Sequence, residues 1–303
     1  MSRPVIARHL FNFAPVLSGW NKISVSAGPS GDLIILALQQ EPSYRNRDGT
    51  SPQSFVDKPN NFRVHHLTEN GWITCDLQET RQNMHHAQPL SGNEWVVVRA
   101  RSAGNTDGNG HFYSAQGDLL RTAAFGDGIQ DIQTTADGQI WVGYFDEGVF
   151  GNTTFGRAGL ASFGQDDALT FDFNRLTEGM IADCYAFNVV SATEVWLCPY
   201  TDFPVVKIKN NQISSRWDNN PICGSHAFAV WKDRVLFVGG YGEKDKLFIV
   251  SLYRLDGQEL LKEECHAVDE NGEKVKFKSA FGRGSRLYLE TEQSLYFLEL
   301  QET

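Results

Sequence analysis

The chain has 303 residues, with 27 Lys+Arg against 37 Asp+Glu and a formal net charge of −10. That balance excludes a phosphate-backbone binder, which needs net or clustered positive charge to release counterions. At 41% hydrophobic and 21% charged the chain buries a core, and 28 Gly, 20 Phe, 7 Trp and 9 Tyr against 3 Met point to tight turns and β packing.

The first segment, Met1 to Ala14, has no apolar run of signal-peptide length, because Arg3, Arg8 and His9 interrupt it. No stretch approaches 18 consecutive apolar residues, so no membrane span is expected. Cys75, Cys184, Cys198, Cys223 and Cys265 are odd in number and scattered, which suggests neither a disulfide framework nor a cysteine zinc site. A cytoplasmic protein with reduced thiols is the expectation.

Further along, one grammar recurs: a short strand, a polar turn, then an apolar strand. Ser24 to Ile34 turns at Ser30-Gly31-Asp32, and His85 to Trp95 at Ser91-Gly92-Asn93. The clearest unit, Asp131 to Tyr144, turns at Asp137-Gly138 before Ile140-Trp141-Val142-Gly143. Ala186 to Trp196, His226 to Leu236 and Lys278 to Tyr288 follow. The second apolar residue after each turn serves as a marker: Ile34, Trp95, Trp141, Trp196, Leu236 and Tyr288. Successive markers lie 61, 46, 55, 40 and 52 residues apart, and the path from Tyr288 through the chain ends to Ile34 covers 49.

After each marker come two more β-like segments, such as Gly159–Phe163 and Leu169–Phe173, or Val205–Ile208 and Gln212–Trp217. Four short strands per unit of roughly 40–50 residues is the arithmetic of a propeller blade. The predicted fold is therefore all-β: a single domain over 1–303, a six-bladed β-propeller with four-stranded antiparallel blades. The blades span about 21–80, 82–125, 129–174, 180–218, 224–268 and 275–300. The last is one strand short, and the N-terminal strand 5–13 is expected to complete it and close the ring.

The stretch Asp131–Phe150, with its Asp-Gly-x-Ile-Trp-x-Gly pattern, resembles the two-component-regulator type of propeller repeat. From about His85 to Tyr241 the chain is also similar to an uncharacterised bacterial propeller family. These resemblances imply the fold and bring no activity. The Gly-Thr that follows the Trp strand in the sensor-type repeat is missing here, so a sensory role does not carry over.

The connections between second and third strands are long: Gln40 to Asn61, Arg99 to Gly110, Asp146 to Arg157 and Tyr241 to Lys246. The other turns are short, so one face bears the long loops, and that face is the expected working face. Gln39–Asn61, rich in Pro, Ser, Arg and Asn, has two readings, a lid over that face or a mobile decoration of it. Ten residues before each marker, at the start of the innermost strand, stand Ser24, His85, Asp131, Ala186 (or Tyr185 if that strand is bulged), His226 and Lys278.

Two histidines with carboxylates support acid–base work, so His85, Asp131 and His226 are the candidate catalytic residues for a hydrolase or lyase. The same three are the candidate ligands of a divalent cation. Asp146, Glu147, Tyr185, Tyr200, Asp202 and Lys278 are the candidate ligand-binding residues, with Arg99, Arg101, Asp127 and Asp183 around them. The competing reading is a non-catalytic interaction module whose acidic face docks a basic protein partner. Under both, the partner is a small molecule or a protein, with no nucleic acid and no membrane. Three further expectations are structural. Asn105–Gly110 is an Asn/Gly turn rather than a calcium loop, His65-His66 lies on an outer strand with one ring in solvent, and Trp95, Trp141 and Trp196 pack between blades.

Overall fold

The computed structural model describes residues 2–40, 55–177, 181–252 and 260–302. Six four-stranded antiparallel blades form a β-propeller with few helices. The chain divides into two compact units, one of residues 16–183 and one of residues 1–15 with 184–303.

In the first unit, blade 1 runs Asn21–Ala27, Leu33–Leu38, Phe62–Thr68 and Gly71–Asp76. Blade 2 runs His86–Pro89, Trp95–Val98, Gly110–Tyr113 and Leu119–Ala123. Blade 3 runs Ile129–Thr134, Ile140–Tyr144, Leu160–Phe163 and Leu169–Asp172. The second strands, such as Trp95-Val96-Val97-Val98, are buried throughout, because a blade inside a propeller is covered on both faces. Two apolar clusters fill this unit, one from Ile34 to Tyr113 and one from Val96 to Phe163.

In the second unit, blade 4 runs Asp183–Ser191, Glu194–Tyr200, Val205–Lys209 and Gln212–Trp217. Blade 5 runs Phe228–Trp231, Arg234–Val238, Leu247–Ser251 and Leu261–Val268. Blade 6 runs Ser279–Arg283, Arg286–Glu290 and Ser294–Glu299, completed by Arg8–Asn12.

The N-terminal strand does more than the sequence suggests. It breaks at Ala7, whose N–H bonds Val268 O at 2.7 Å. Beyond the break, Arg8–Asn12 pairs antiparallel with the end of blade 6. Before it, Arg3–Ile6 pairs in parallel with Leu261–Val268 and becomes a fifth strand of blade 5. One short segment thus covers the outer edges of two blades.

All six markers are buried, with Trp196 at 2% exposure the most accessible. At about 25 cal/mol per Å² of apolar area, each buried Trp contributes on the order of 4–6 kcal/mol, which explains why the repeat keeps a large residue there. The innermost strands have a free edge, and side chains of other blades satisfy it. Ser26 Oγ donates to Ala87 O at 2.8 Å and Thr134 Oγ1 to Pro89 O at 2.8 Å. In the second unit Asn188 Nδ2 donates to Phe228 O at 2.8 Å and Gly284 O at 3.1 Å, while its Oδ1 accepts from Gly284 N at 2.7 Å. Asn188 therefore ties blades 4, 5 and 6 together from a fully buried position.

Two expectations change. Both His65 and His66 are buried rather than split between core and solvent. Their strand is the third of its blade: the Trp72 ring packs edge-on to His65, and Asp32 pairs with His66 Nε2. The proposed lid, Gln39–Asn61, lies largely outside the described residues. Its described end, Phe55–Asn60, pairs with Thr80–Gln82 as a two-stranded ribbon.

Candidate functional site

The first unit presents the long loops 99–110 and 146–157, and they are fastened to each other. Arg101 bonds both Asp127, with Nε to Oδ1 at 3.0 Å, and Glu147 Oε2. Asp127 Oδ1 also accepts from Ser102 N at 2.7 Å, and its own N–H donates to Thr153 Oγ1 at 3.0 Å. Thr154 N donates to Asn105 Oδ1 at 2.7 Å. Behind them Arg99, fully buried, holds Asp107 Oδ1 at 2.6 Å. Burial alone would raise the Asp107 pKa, but the Ala103 N–H and Arg99 outweigh it and hold it below the usual carboxylate range. The Asn105–Gly110 turn thus has an arginine where a calcium loop would have its ion. Asp146, exposed, accepts from Glu147 N at 2.8 Å at the start of the short helix Asp146–Val149.

His85 and Asp131 belong to the same unit. His85 Nδ1 accepts from Ala100 N at 3.1 Å, and the ring also bonds the Asn83 backbone. Burial, helped by the Arg99 charge, lowers its pKa to about 4, so it is neutral at pH 7. Asp131 stands at a bulge in its strand, where Oδ1 accepts from Ile132 N at 2.8 Å and Oδ2 from Gln133 Nε2 at 3.4 Å. Both side chains are turned to their own backbone or near neighbours. Among the described residues no three His, Cys, Asp or Glu side chains gather in a way that would hold a metal.

His226 and Lys278 belong to the second unit. His226 has an exposed edge, yet the protein crowding it lowers its pKa, with the Lys244 charge adding to the effect. Lys278 pairs with Glu292 at the surface, both largely in solvent, so the pair adds little to stability.

The second unit also brings together side chains that the sequence separates. Tyr185, Tyr200, Phe203 and Tyr241 form one aromatic group. Ring centroids are 6.2 Å apart for Tyr185 and Tyr200, 5.0 Å for Tyr185 and Phe203, and 5.8 Å for Phe203 and Tyr241. Tyr185 and Tyr241 meet at 84°, with their hydroxyls bonded to each other. Phe203 is the buried floor, whereas Tyr200 is 41% and Tyr241 57% exposed.

The backbone beneath this group is fixed. Asn220, buried, donates through Nδ2 to Phe203 O at 3.1 Å and Ile222 O at 2.9 Å. Tyr241 N donates to Cys223 O at 3.0 Å. A Cβ on Gly240 would lie 1.6 Å from Cys223 O, and one on Gly224, whose φ is +77°, would lie 2.8 Å from the Tyr241 ring. Only glycine allows those two strands of chain to approach so closely and the Tyr241 ring to lie over Gly224. Tyr185, with φ +55°, sits at the irregularity anticipated for its strand, which turns its ring toward the others. Asp202, exposed, lies in the chain between Tyr200 and Phe203.

Of the sequence-predicted binding residues, the structure groups Tyr185 with Tyr200, and places Glu147 in the arginine-bridged loops. Phe203 and Tyr241 were missed. For Tyr241 there was a partial signal: Tyr200 follows its marker by four residues and Tyr241 follows its marker by five, places one residue apart in consecutive repeats.

The chain matches the model of the YxzG family over residues 169–298. No curated protein matches it. Among solved structures, the chain is similar to a functionally unknown protein from Desulfotomaculum acetoxidans DSM 771, at 10% identity over 94% of this chain and 84% of that one, with a TM-score of 0.52. It is also similar to hydrazine synthase of Kuenenia stuttgartiensis, at 12% identity over 89% and 73%, with a TM-score of 0.50. Virginiamycin B lyase from Staphylococcus aureus aligns over 92% and 94% at 11% identity, with a TM-score of 0.49. The first two likenesses speak for the fold alone.

Proposed function

We propose that this propeller binds a small organic molecule without covalent chemistry, on the rim formed by Tyr185, Tyr200 and Tyr241. The observation that carries this reading is two exposed tyrosines leaning on a third over a buried phenylalanine, at the loop-bearing end of blades 4 and 5. Large rings left in solvent over a rigid base supply contact area at low ordering cost, as binding surfaces require. The hydrolase or lyase step expected at His85, Asp131 and His226 has less support. A general base needs a lone pair open to substrate, and His85 accepts a backbone N–H through Nδ1.

A basic protein partner is the second reading, favoured by the net charge of −10, which would speed such an encounter. A thermal-shift panel of small organic molecules and divalent cations, run on the wild type and on a Tyr200→Ala/Tyr241→Ala variant, tests the first reading. A ligand should raise the wild-type midpoint and leave the variant unmoved. Equal shifts in both proteins, or none in the wild type, would overturn it.

A further inference from the structure

We infer that the tyrosine rim recognises a methylated or quaternary ammonium group, the class of cation that binds to aromatic faces. This rests on the reading that the rim binds a small molecule. Ring geometry is the first argument. Tyr185 stands at 84° to Tyr241 and 81° to Phe203, and Phe203 at 77° to Tyr241. Crossed rings turn π faces in more than one direction, and each face carries the negative end of the ring quadrupole.

The second argument is where the polar atoms go. The Tyr185 and Tyr241 hydroxyls bond to each other, which occupies one of the pair's two hydroxyl protons and leaves the ring surface as the larger part of what the pair presents. An ammonium that has exchanged its N–H groups for methyls needs no acceptor and gains from such a surface. The third argument is charge. Asp202 lies exposed beside Tyr200 in the chain, and the Glu243–Lys246 stretch beyond Tyr241 alternates Glu, Lys, Asp and Lys without net charge. Lys246 is bonded to Glu243 at 2.9 Å, whereas Lys244 acts on His226. The exposed charge two residues from Tyr200 is therefore an acid, on a chain of net charge −10.

Cys223 provides the reporter. It is the exposed one of five free cysteines, and its carbonyl accepts the Tyr241 N–H. The test titrates the full chain with tetramethylammonium chloride and, separately, with neopentyl alcohol, its neutral counterpart in shape, at constant ionic strength. Readouts are the proton shift of the ligand methyls and the rate of Cys223 alkylation by iodoacetamide.

The expected result is an upfield methyl shift and at least two-fold slower alkylation with tetramethylammonium, and neither effect with neopentyl alcohol. Tyr241→Phe, which keeps a ring face, should bind within about three-fold of wild type. Tyr241→Leu, apolar but without one, should bind roughly ten-fold more weakly. Tyr241 is exposed, so a cooperative unfolding transition in both variants, with its midpoint well above the temperature of the titration, separates binding from folding. Equal binding of the alcohol and the cation would overturn the ammonium inference while leaving the small-molecule reading intact. Binding of neither would also overturn it, and the wider ligand panel then decides the small-molecule reading on its own.

Discussion

The hydroxyls of Tyr185 and Tyr241, 56 residues apart in the chain, form a hydrogen bond with each other at the rim of blades 4 and 5. The bond brings the irregular start of one innermost strand to the loop that leaves the second strand of the next blade. Removing either hydroxyl should cost little, because the pair is exposed. Tyr185→Phe and Tyr241→Phe are each expected to lower stability by about 0.5–1 kcal/mol, and the double variant by no more than the larger single change. Urea unfolding of the four proteins measures this coupling.

Gly224 supports the same ring from below. Gly224→Ala puts a methyl 2.8 Å from the Tyr241 ring at a φ of +77°. The expected cost is about 1–3 kcal/mol, together with displacement of Tyr241. A wild-type unfolding midpoint in this variant would contradict the close approach described for Tyr241.

Asn188 is the corresponding test of the scaffold. Asn188→Ala removes the fully buried amide that bonds Phe228 O, Gly284 O and Gly284 N, and of these Gly284 O keeps its bond from Val230 N. A loss of about 3 kcal/mol is expected from denaturant unfolding, against less than about 0.5 kcal/mol for a substitution at an exposed site such as Lys276.

Acid should weaken the fold before carboxylates protonate. Burial lowers His65, His85 and His111 to about 4 and His86 to about 3, all below the ordinary value of 6.5. The unfolded chain therefore takes up protons that the folded chain refuses. Stability is full above pH 6.5 and falls as the pH drops from 6.5 toward 4, by roughly 1–2 kcal/mol per ring by pH 5. Asp32 extends the decline: burial would raise its pKa, but the His66 bond and charge lower it, so its contribution disappears below about pH 4. Urea midpoints at pH 7.5, 6 and 5 check the sign. An unchanged midpoint across that range would contradict the burial of these rings.

Much of the architecture was legible because the blade repeat leaves a strong trace. Trp95, Trp141 and Trp196 mark second strands that are buried on both faces, and a short turn of small or polar residues precedes each. The double use of residues 3–12 was not legible, since one run of alternating residues does not reveal a break at Ala7. The site was legible only in part. Tyr185 and Tyr200 came from counting positions within repeats, but Phe203 and Tyr241 join them through the turn at Thr201-Asp202 and the approach of Gly240 to Cys223. Those are tertiary contacts that spacing alone does not encode. His85 and Asp131 have the residue types of a catalytic pair, and their bonds to Ala100, Ile132 and Gln133 are tertiary and local contacts that residue type alone does not encode.

The most direct measurement is a spectrum of the protein with its nine tyrosines carbon-13 labelled in the ring, recorded with each molecule that raises the thermal midpoint. Binding at the rim is expected to move the resonances of Tyr185, Tyr200 and Tyr241 together and leave the buried Tyr113, Tyr144 and Tyr288 in place. A molecule that stabilises the protein while those three resonances stay fixed would contradict the tyrosine rim as the binding site.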